Sequence, residues 1–319
     1  MNASGRSRRR LKIAHAIAHR LPPFLAQRLR TILYPRHVAM HDPCEFEVRL
    51  PTGSTFAHHT ADYHSYHVAV LGYFNWRNIA IASASDLHGK TCIEIGANVG
   101  TETIAYADII GPDGTVLCFE PLQENVTVLR SNIARNHLEN VQVFSSVVSS
   151  SCGVMTFLVP EQEQTSGRGF VAGTEKTDSA STWRQQSVEA VTLDSIADSA
   201  GQVAALFIDA EGSEYDIIAG GREFLRRNRP TIVLEAVQKL LLRSGKTTED
   251  LYRCIADLEY SIFEITRFGL RKITPATIPD DSDWYCVPSA REHEADRIRK
   301  ALLRGGFMPR NSRWNPLKR

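Results

Sequence analysis

Three carboxylates end apolar runs that are typical of buried parallel strands. Glu120, Asp209 and Glu235 each close such a run, and Glu211 follows Asp209 by two residues, which places both side chains on one face of an extended backbone. Because the carboxyl ends of parallel strands meet at the ligand-binding edge of a sheet, we expect these groups to share a site. Carboxylates at such an edge can accept a proton, accept hydrogen bonds from ligand hydroxyls or ligate Mg²⁺ or Ca²⁺.

A glycine turn follows another of these apolar runs. Gly96 lets the backbone turn sharply, and the amides between it and Gly100 that begin the next helix could bind an anion. Dinucleotide-binding turns read Gly-x-Gly-x-x-Gly, whereas Asn98 places a side chain where a pyrophosphate needs bare backbone. The smaller carboxylate of an amino acid fits better, and Glu94 stands where it could face the ammonium group.

Glu120 lies about twenty residues beyond the turn, where a carboxylate can accept hydrogen bonds from both hydroxyls of a ribose. Taken alone, it could equally be a solvated acid at a strand end. Its combination with Glu94 and the glycines favours the ribose contact. A ligand that carries both a ribose and an amino acid is S-adenosylmethionine, which we therefore predict as the cofactor.

Strands and helices alternate from residue 91 onward, which predicts a parallel sheet with helices on both faces. A terminal antiparallel pair completes a doubly wound, mostly parallel, seven-stranded Rossmann-like α/β sheet, with an N-terminal helical and strand cap. The predicted strands are 91–95, 115–119, 141–145, 203–208, 231–235, 261–266 and 284–287, and two strand-like pieces at 154–159 and 187–191 enclose a polar loop at 164–182 that we expect to be mobile.

At these motifs the chain resembles the FkbM family of S-adenosylmethionine-dependent methyltransferases. The resemblance covers roughly residues 90–240, and its segments occur in the family's order. They are Ile-Glu-Ile-Gly-Ala-Asn-Val-Gly at 93–100, Phe-Glu-Pro at 119–121, Asn-Val-Gln-Val at 140–143, Val-Thr-Leu-Asp-Ser-Ile at 191–196, Ile-Asp-Ala-Glu-Gly-Ser-Glu at 208–214 and Ile-Val-Leu-Glu at 232–235.

The resemblance implies a class I methyltransferase domain that usually methylates a hydroxyl on a sugar, glycolipid or other natural product. It also implies that the segment around Ser146 contacts the adenine, although the match there is loose. Two positions depart from the family. Members commonly have Asp where Glu94 stands, and they commonly have Lys where Phe207 stands, which could alter the substrate or the rate.

For an O-methyltransferase, Asp209 is the first candidate for the general base and Glu211 the second, and a histidine from 58–67 is a third. The acids could instead hold a divalent cation, but we assign no metal site, and the spacing of His58, His59, His64 and His67 matches no zinc motif. Two alternative functions remain: a nicotinamide-dependent Rossmann oxidoreductase, and a cofactor-binding protein without catalysis.

We divide the chain into three regions: a basic segment and cap at 1–88, the methyltransferase domain that the resemblance implies at 89–290 and a basic tail at 291–319. We expect residues 1–10 to be disordered and 11–35 to be helical, and we expect 58–67 to form a lid or a cap facing the substrate. Recognition of the acceptor is expected in the cap and loops at 36–88 and 160–186, where sequence patterns are weakest.

The distribution of charge limits the classes of binding partner, and the cysteine content indicates the cellular compartment. No acidic residue precedes Asp42, whereas nine arginines and lysines do, so the N-terminal segment is either a solvated basic face or a contact for an anionic membrane surface. No aromatic residues interleave with the basic ones, which argues against nucleic acid. The cysteines form no Cys-x-x-Cys pair and no apolar run is long enough to span a membrane, so a cytoplasmic location and a small-molecule or glycan acceptor are expected. The oligomeric state is not predicted.

Overall fold

The computed structural model describes residues 5–160, 169–172, 183–312 and 315–317. The strands are β1 (Glu45–Arg49), β2 (Thr55–His59), β3 (Thr91–Ile95), β4 (Thr115–Phe119), β5 (Val141–Phe144), β6 (Ser146–Val148), β7 (Gly153–Pro160), β8 (Phe170–Val171), β9 (Trp183–Val191), β10 (Val203–Ile208), β11 (Thr231–Val237), β12 (Tyr260–Thr266), β13 (Gly269–Lys272) and β14 (Asp281–Pro288). The helices are α1 (Gly5–Ala18), α2 (Pro23–Leu33), α3 (Arg36–His41), α4 (Tyr63–Leu71), α5 (Trp76–Ala84), α6 (Thr103–Ile110), α7 (Gln123–Arg135), α8 (Ala197–Ala200), α9 (Glu214–Ala219), α10 (Arg222–Asn228), α11 (Gln238–Leu241), α12 (Thr248–Ala256) and α13 (Glu294–Phe307).

Eight strands form the central sheet in the order β13-β12-β14-β11-β10-β3-β4-β5. The five strands from β11 to β5 run parallel, and β14, β12 and β13 pair antiparallel. The chain winds from β3 to β5 and then returns to the other side of β3, so the winding reverses between β3 and β10, where doubly wound sheets bind their ligands. The predicted fold class is confirmed.

The sheet has one strand more than predicted, and the addition is β13. Gly269 adopts a φ of +123°, and the Thr266 hydroxyl donates a hydrogen bond to its carbonyl oxygen at 3.0 Å. This tight turn folds a four-residue strand back onto β12 at the edge of the sheet. Lys272 and its neighbour Arg271 are exposed, so β13 lacks the apolar run that identified the buried strands.

A smaller sheet of order β6-β9-β7-β8 lies beside the end of β4. Val147, Phe157 and Val188 from this sheet pack with Leu122, which follows β4. Strands β7 and β9 confirm and extend the two predicted strand-like pieces. Most of the predicted mobile loop at 164–182 lies outside the described residues, and its described part contains β8.

The N-terminal cap is helical from Gly5 onward, so the predicted disorder is wrong for residues 5–10. Helix α1 forms because Leu11, Ala14 and Ala18 recur at helical spacing and bury one face against the domain. The predicted helical stretch divides before α2, which begins with proline at its first position. Within the described ranges, no helix combines the length and the apolar character needed to cross a bilayer.

The segment predicted as a basic tail contains α13, which packs on α5. The contact is close because Gly305 and Gly306 face Trp76, and a Cβ on Gly306 would lie 2.9 Å from the indole ring. Farther along, the buried Arg310 guanidinium donates a hydrogen bond to the Leu71 carbonyl oxygen. The end of the chain is therefore tied to the cap.

Candidate active site

The glycine turn joins the ends of three strands. Gly96, at a φ of +87°, and Ala97 both donate their N–H groups to the Phe119 carbonyl oxygen at 3.0 Å. On the other side, a Cβ on Gly96 would lie 1.8 Å from the Asp209 carbonyl oxygen. Only glycine fits there, so the turn, the end of β4 and the end of β10 are held together.

The turn amides are already engaged, contrary to the expectation that they would bind an anion. The Asn98 N–H donates to Glu120 Oε2 at 2.9 Å, the Val99 N–H donates to Asn98 Oδ1 at 2.7 Å, and the Gly100 N–H donates to the Ala97 carbonyl oxygen at 2.9 Å. Because the Gly96 and Ala97 N–H groups donate to Phe119, every N–H group of residues 96–100 is engaged within the protein and none is left for a ligand. Asn98 reaches this arrangement through a left-handed φ of +51°.

Glu120 is buried and is oriented by three donors. Besides Asn98, the Leu122 N–H donates to Oε1 at 2.9 Å and Asn125 Nδ2 donates to Oε1 at 3.2 Å. Burial raises the pKa of Glu120 to about 7, and these hydrogen bonds oppose the shift. Since a carboxylate has about four lone-pair positions, it can still accept hydrogen bonds from a ligand.

The ends of β3, β4 and β10 enclose a cavity of about 620 Å³, the first cavity. Six of the predicted site residues line it: Gly96, Asn98, Glu120, Ser146, Asp209 and Glu211. His64 from the histidine-rich segment, the third candidate for the base, also lines the cavity, as do Phe119, Pro121, Leu122, Val147, Val148, Phe157 and Val171. Its walls are therefore acidic at the strand ends and apolar toward the smaller sheet.

Glu94 and Gly100, also predicted to contact the cofactor, do not line the first cavity. Glu94 is buried behind the turn, where it accepts a hydrogen bond from the Thr103 hydroxyl at 2.5 Å. Burial raises the pKa of Glu94 to about 8, and the carboxylates of Asp209 and Glu120 raise it further. Gly100 has a φ of +86°, and its Cβ would lie 2.5 Å from Leu129 Cδ1, so its described role is packing against α7.

Asp209 follows β10 and lies in the wall between two cavities. Within the described part of the chain, its carboxylate has no hydrogen-bond or ion-pair partner. Burial, and secondarily the charge of Asp283, raise the pKa of Asp209 to about 6. Glu211 differs, because Arg243 lies 3.9 Å from its Oε2.

On the other side of Asp209 lies a cavity of about 780 Å³, the second cavity, which the sequence motifs did not indicate. Its polar lining mixes cations, carboxylates and amides from the cap and from the sheet. These residues are Gln27, Arg30, Asn75, Arg77, Asn78, Asp209, Glu235 and Asp283, and they are joined by Tyr63, His67, Phe74, Ile208, Val233 and Leu234. Of the predicted site residues that line the first cavity, Asp209 alone also lines the second among the residues that the structure describes.

A family model described as the methyltransferase FkbM domain matches residues 94–262, which is more than half of the chain. The chain belongs to the FkbM methyltransferase family.

Solved structures with similar folds include other methyltransferases. The FkbM methyltransferase from Methylobacillus flagellatus KT is 17% identical, with 88% of this chain and 59% of that chain covered and a TM-score of 0.41. Precorrin-6y C5,15-methyltransferase from Geobacter metallireducens GS-15 is 13% identical, with 66% of this chain and 87% of that chain covered and a TM-score of 0.36. Fibrillarin from Aeropyrum pernix, in complex with natively bound S-adenosyl-L-methionine, is 13% identical, with 66% of this chain and 76% of that chain covered and a TM-score of 0.37. The chain thus spans 59% of the length of the Methylobacillus protein. A comparison with curated protein sequences gives no match.

The histidine-rich segment of this family member divides between the cavities. His64 lines the first cavity, stacks on Phe74 at 4.0 Å between ring centroids and lies 3.5 Å from Asn98 Nδ2 through Nδ1. His67 lines the second cavity, and neither of its ring nitrogens has a hydrogen-bond partner among the residues that the structure describes. Burial lowers the pKa of His64 to about 4, so this histidine is neutral at pH 7. Among the described residues, no group of three or more His, Cys, Asp or Glu side chains is arranged to hold a metal ion.

Phe207, which stands where FkbM methyltransferases commonly have lysine, lines neither cavity. It is buried and stacks on Tyr106 at 4.2 Å between ring centroids. Glu94 is its partner in the pairing of β10 with β3, and the Tyr106 hydroxyl donates a hydrogen bond at 3.3 Å to the buried Glu102, whose pKa is raised well above its ordinary value by burial. Phe207 therefore supplies core packing and no positive charge for these carboxyl groups.

Proposed function

We propose that this FkbM methyltransferase binds S-adenosylmethionine in the first cavity and methylates a hydroxyl of an acceptor held in the second. A sugar, a glycolipid or another natural product is the acceptor class that we favour. The observation that carries the proposal is the position of Asp209, whose carboxylate has no hydrogen-bond partner among the described residues and lies in the wall common to both cavities. A base that must reach the acceptor beside the methyl donor requires this placement.

The first cavity fits a cofactor that carries positive charge. Glu120 and the nearby Glu94 are buried, Asp209 is half-buried, and no cation compensates the three in the described residues, so each pKa is raised. A positively charged ligand would stabilise their ionised forms. We assign Glu120 to the ribose hydroxyls and Ser146, with the apolar wall beside it, to the adenine. Asn98 is assigned to the amino acid end through Nδ2, with Glu94 as a longer-range partner of the ammonium group.

When bound, S-adenosylmethionine supplies a methyl group that is already activated by its sulfonium centre. The chain's contribution is to align the acceptor and to remove its proton. Fixed alignment of two reactants is worth about 7–11 kcal/mol, and a positioned general base contributes about 10²–10⁴ in rate. With its pKa at about 6, Asp209 is ionised at neutral pH and can accept the hydroxyl proton. Glu211 is the weaker candidate, because Arg243 lies beside it.

A nicotinamide-dependent oxidoreductase is disfavoured by the turn itself. Pyrophosphate binding at a Rossmann turn needs free backbone N–H groups. Here every N–H group from Gly96 to Gly100 donates within the protein.

Isothermal titration calorimetry with S-adenosylhomocysteine tests the cofactor site. Binding that Glu120→Ala weakens strongly and that the exposed Val154→Ser leaves unchanged supports the assignment. No binding at high micromolar ligand would exclude the proposed cofactor. Transfer of a labelled methyl group to a panel of polyols and glycolipids separates an enzyme from a protein that only binds the cofactor.

A further inference from the structure

Helix α1 presents a second face that the domain does not cover. Ser7, Leu11, Ala14 and Ala18 form its buried face. The opposite side carries residues at spacings of three and four, which places them in one stripe. These are Arg6, Arg9, Arg10, Ile13, Ala16 and Ile17, all exposed, and the stripe is continued by the exposed Arg20, which follows the helix and donates a hydrogen bond to the Ala16 carbonyl oxygen at 2.8 Å. Two isoleucines therefore stand between arginines at both ends of the stripe.

Helix α2 extends this surface. Leu25, Arg28 and Ile32 are exposed and share one side of the helix by their spacing. The Arg10 guanidinium of α1 donates hydrogen bonds to the carbonyl oxygens of Leu33 and Ile32, at 3.0 and 3.2 Å. These bonds bring Ile32 next to the stripe of α1. We call the exposed residues of α1 and α2 the outer face.

Apolar exposure on the outer face is large for helices in a cap. Ile32 is 69% exposed, Ile13 is 51% exposed and Leu25 is 44% exposed. Isolated apolar residues on a surface need no explanation, but four of them on two contacting helices form a patch. Ile17, at 39% exposed, completes it.

The charged side chains of these two helices have a single sign. No Asp or Glu occurs before Asp42, so the arginines of the outer face have no acidic neighbours within the N-terminal helices. Arginines that flank exposed isoleucine and leucine are typical of helices that lie in the interface of an anionic bilayer. Nucleic acid would satisfy the arginines but would leave the aliphatic side chains uncovered, and no aromatic residue of the outer face offers a stacking platform.

We propose that the outer face is a membrane-docking surface, which binds the interface of a bilayer that contains anionic phospholipids. The arginines would contact the headgroups, and Ile13, Ile17, Leu25 and Ile32 would enter the boundary with the acyl chains. This inference goes beyond the proposed function and does not depend on it. The helix that docks also contributes Gln27 and Arg30 to the second cavity, so the docked surface and that cavity share α2.

Vesicle flotation of the full chain tests the proposal. Vesicles of phosphatidylcholine alone are compared with vesicles that contain about 30 mol% phosphatidylglycerol. We expect binding to the anionic vesicles only, and a loss of at least about tenfold in the bound fraction when salt rises from about 0.05 to about 0.5 M. The triple variant Ile13→Ser, Ile17→Ser and Ile32→Ser should abolish flotation at low salt, and Arg6→Glu with Arg9→Glu and Arg28→Glu should do the same.

Matched controls use exposed residues elsewhere: Val154→Ser for the apolar changes and Arg130→Glu for the charge changes. Both should float like the unchanged protein, and thermal unfolding should show that all variants are folded. Equal binding to neutral and anionic vesicles, or no binding to either, would overturn the proposal. It would also fail if the isoleucine variants abolished a dimer seen by sedimentation, or if a duplex oligonucleotide bound while the vesicles did not.

Discussion

The two cavities on either side of Asp209 are built in different ways. The first is formed mainly by short motifs at the ends of adjacent parallel strands, and each motif carries its own turn, cap or acid. The second collects side chains from α2, α4, α5, β10, β11 and β14 and from the segments beside them, with no motif longer than a few residues. The difference shows that strand-end motifs specify the first cavity, whereas the second depends on how the cap packs on the sheet.

The largest expected effect is at the shared wall. Asp209→Asn keeps the shape but removes the base, so we expect kcat to fall by about 10²–10⁴. The measurement is single-turnover methyl transfer to an acceptor that the unchanged protein methylates, with calorimetry of S-adenosylhomocysteine as its companion. If Asp209→Asn weakened cofactor binding and left kcat unchanged, Asp209 would be assigned to cofactor binding and not to the removal of the acceptor's proton.

Glu120→Ala should affect the first cavity alone. The change removes hydrogen bonds between a charged group and the ribose, each worth about 1.5–3 kcal/mol, so we expect Kd for S-adenosylhomocysteine to rise about 10- to 100-fold. Because Glu120 also orients the turn through Asn98 and Leu122, Glu120→Gln is the control for the loss of shape. The comparison between the cavities would fail if Glu120→Ala changed the acceptor KM as strongly as the cofactor Kd.

The acids in and beside the first cavity should make the stability of the free protein depend on pH. Glu94, Glu120 and Asp209 have pKa values raised to about 8, 7 and 6 in the folded protein, so these acids bind more protons folded than unfolded. Their contribution to stability is therefore fully present below the pKa of the unfolded acids and is lost as pH rises through about 6 to 8. Thermal unfolding of the free protein between pH 5 and 8 checks this sign.

The same groups should release protons when a positively charged cofactor binds, because that ligand favours their ionised forms. Calorimetry of S-adenosylmethionine in two buffers of different ionisation enthalpy measures the release, and Glu94→Gln should reduce it. An uncharged acceptor in the second cavity should release far fewer protons. Equal release by both ligands would contradict the assignment of the charged ligand to the first cavity.

The smallest expected effect lies in the cap. Gln27→Ala removes one amide from the second cavity, so the acceptor KM should rise by about fivefold, near 1 kcal/mol for one neutral hydrogen bond. Arg28→Ala, one position along α2 on its exposed side, is the matched control and should leave KM unchanged. If both changes left KM unchanged, the cap would not contribute to acceptor binding.

What the sequence could predict follows the same division. The strands β3, β4 and β10 are buried apolar runs that end in glycine or acid, so their positions and the line of strand-end carboxylates were readable residue by residue. The engagement of the turn amides was not, because it depends on the exact approach of Phe119 and Glu120. Arg30 and Asp283 stand far apart in sequence and belong to no motif, so only the packing of the cap reveals that they line the same cavity.

The position of Asp209 has a consequence for the balance of charge in the proposed reaction. Before transfer, its carboxylate is negative and the methyl donor beside it is positive. After transfer, the proton from the acceptor neutralises Asp209, while the sulfur of the product carries no charge. The net charge between the two cavities is therefore the same before and after transfer, so the transfer step itself leaves no additional unpaired ion there.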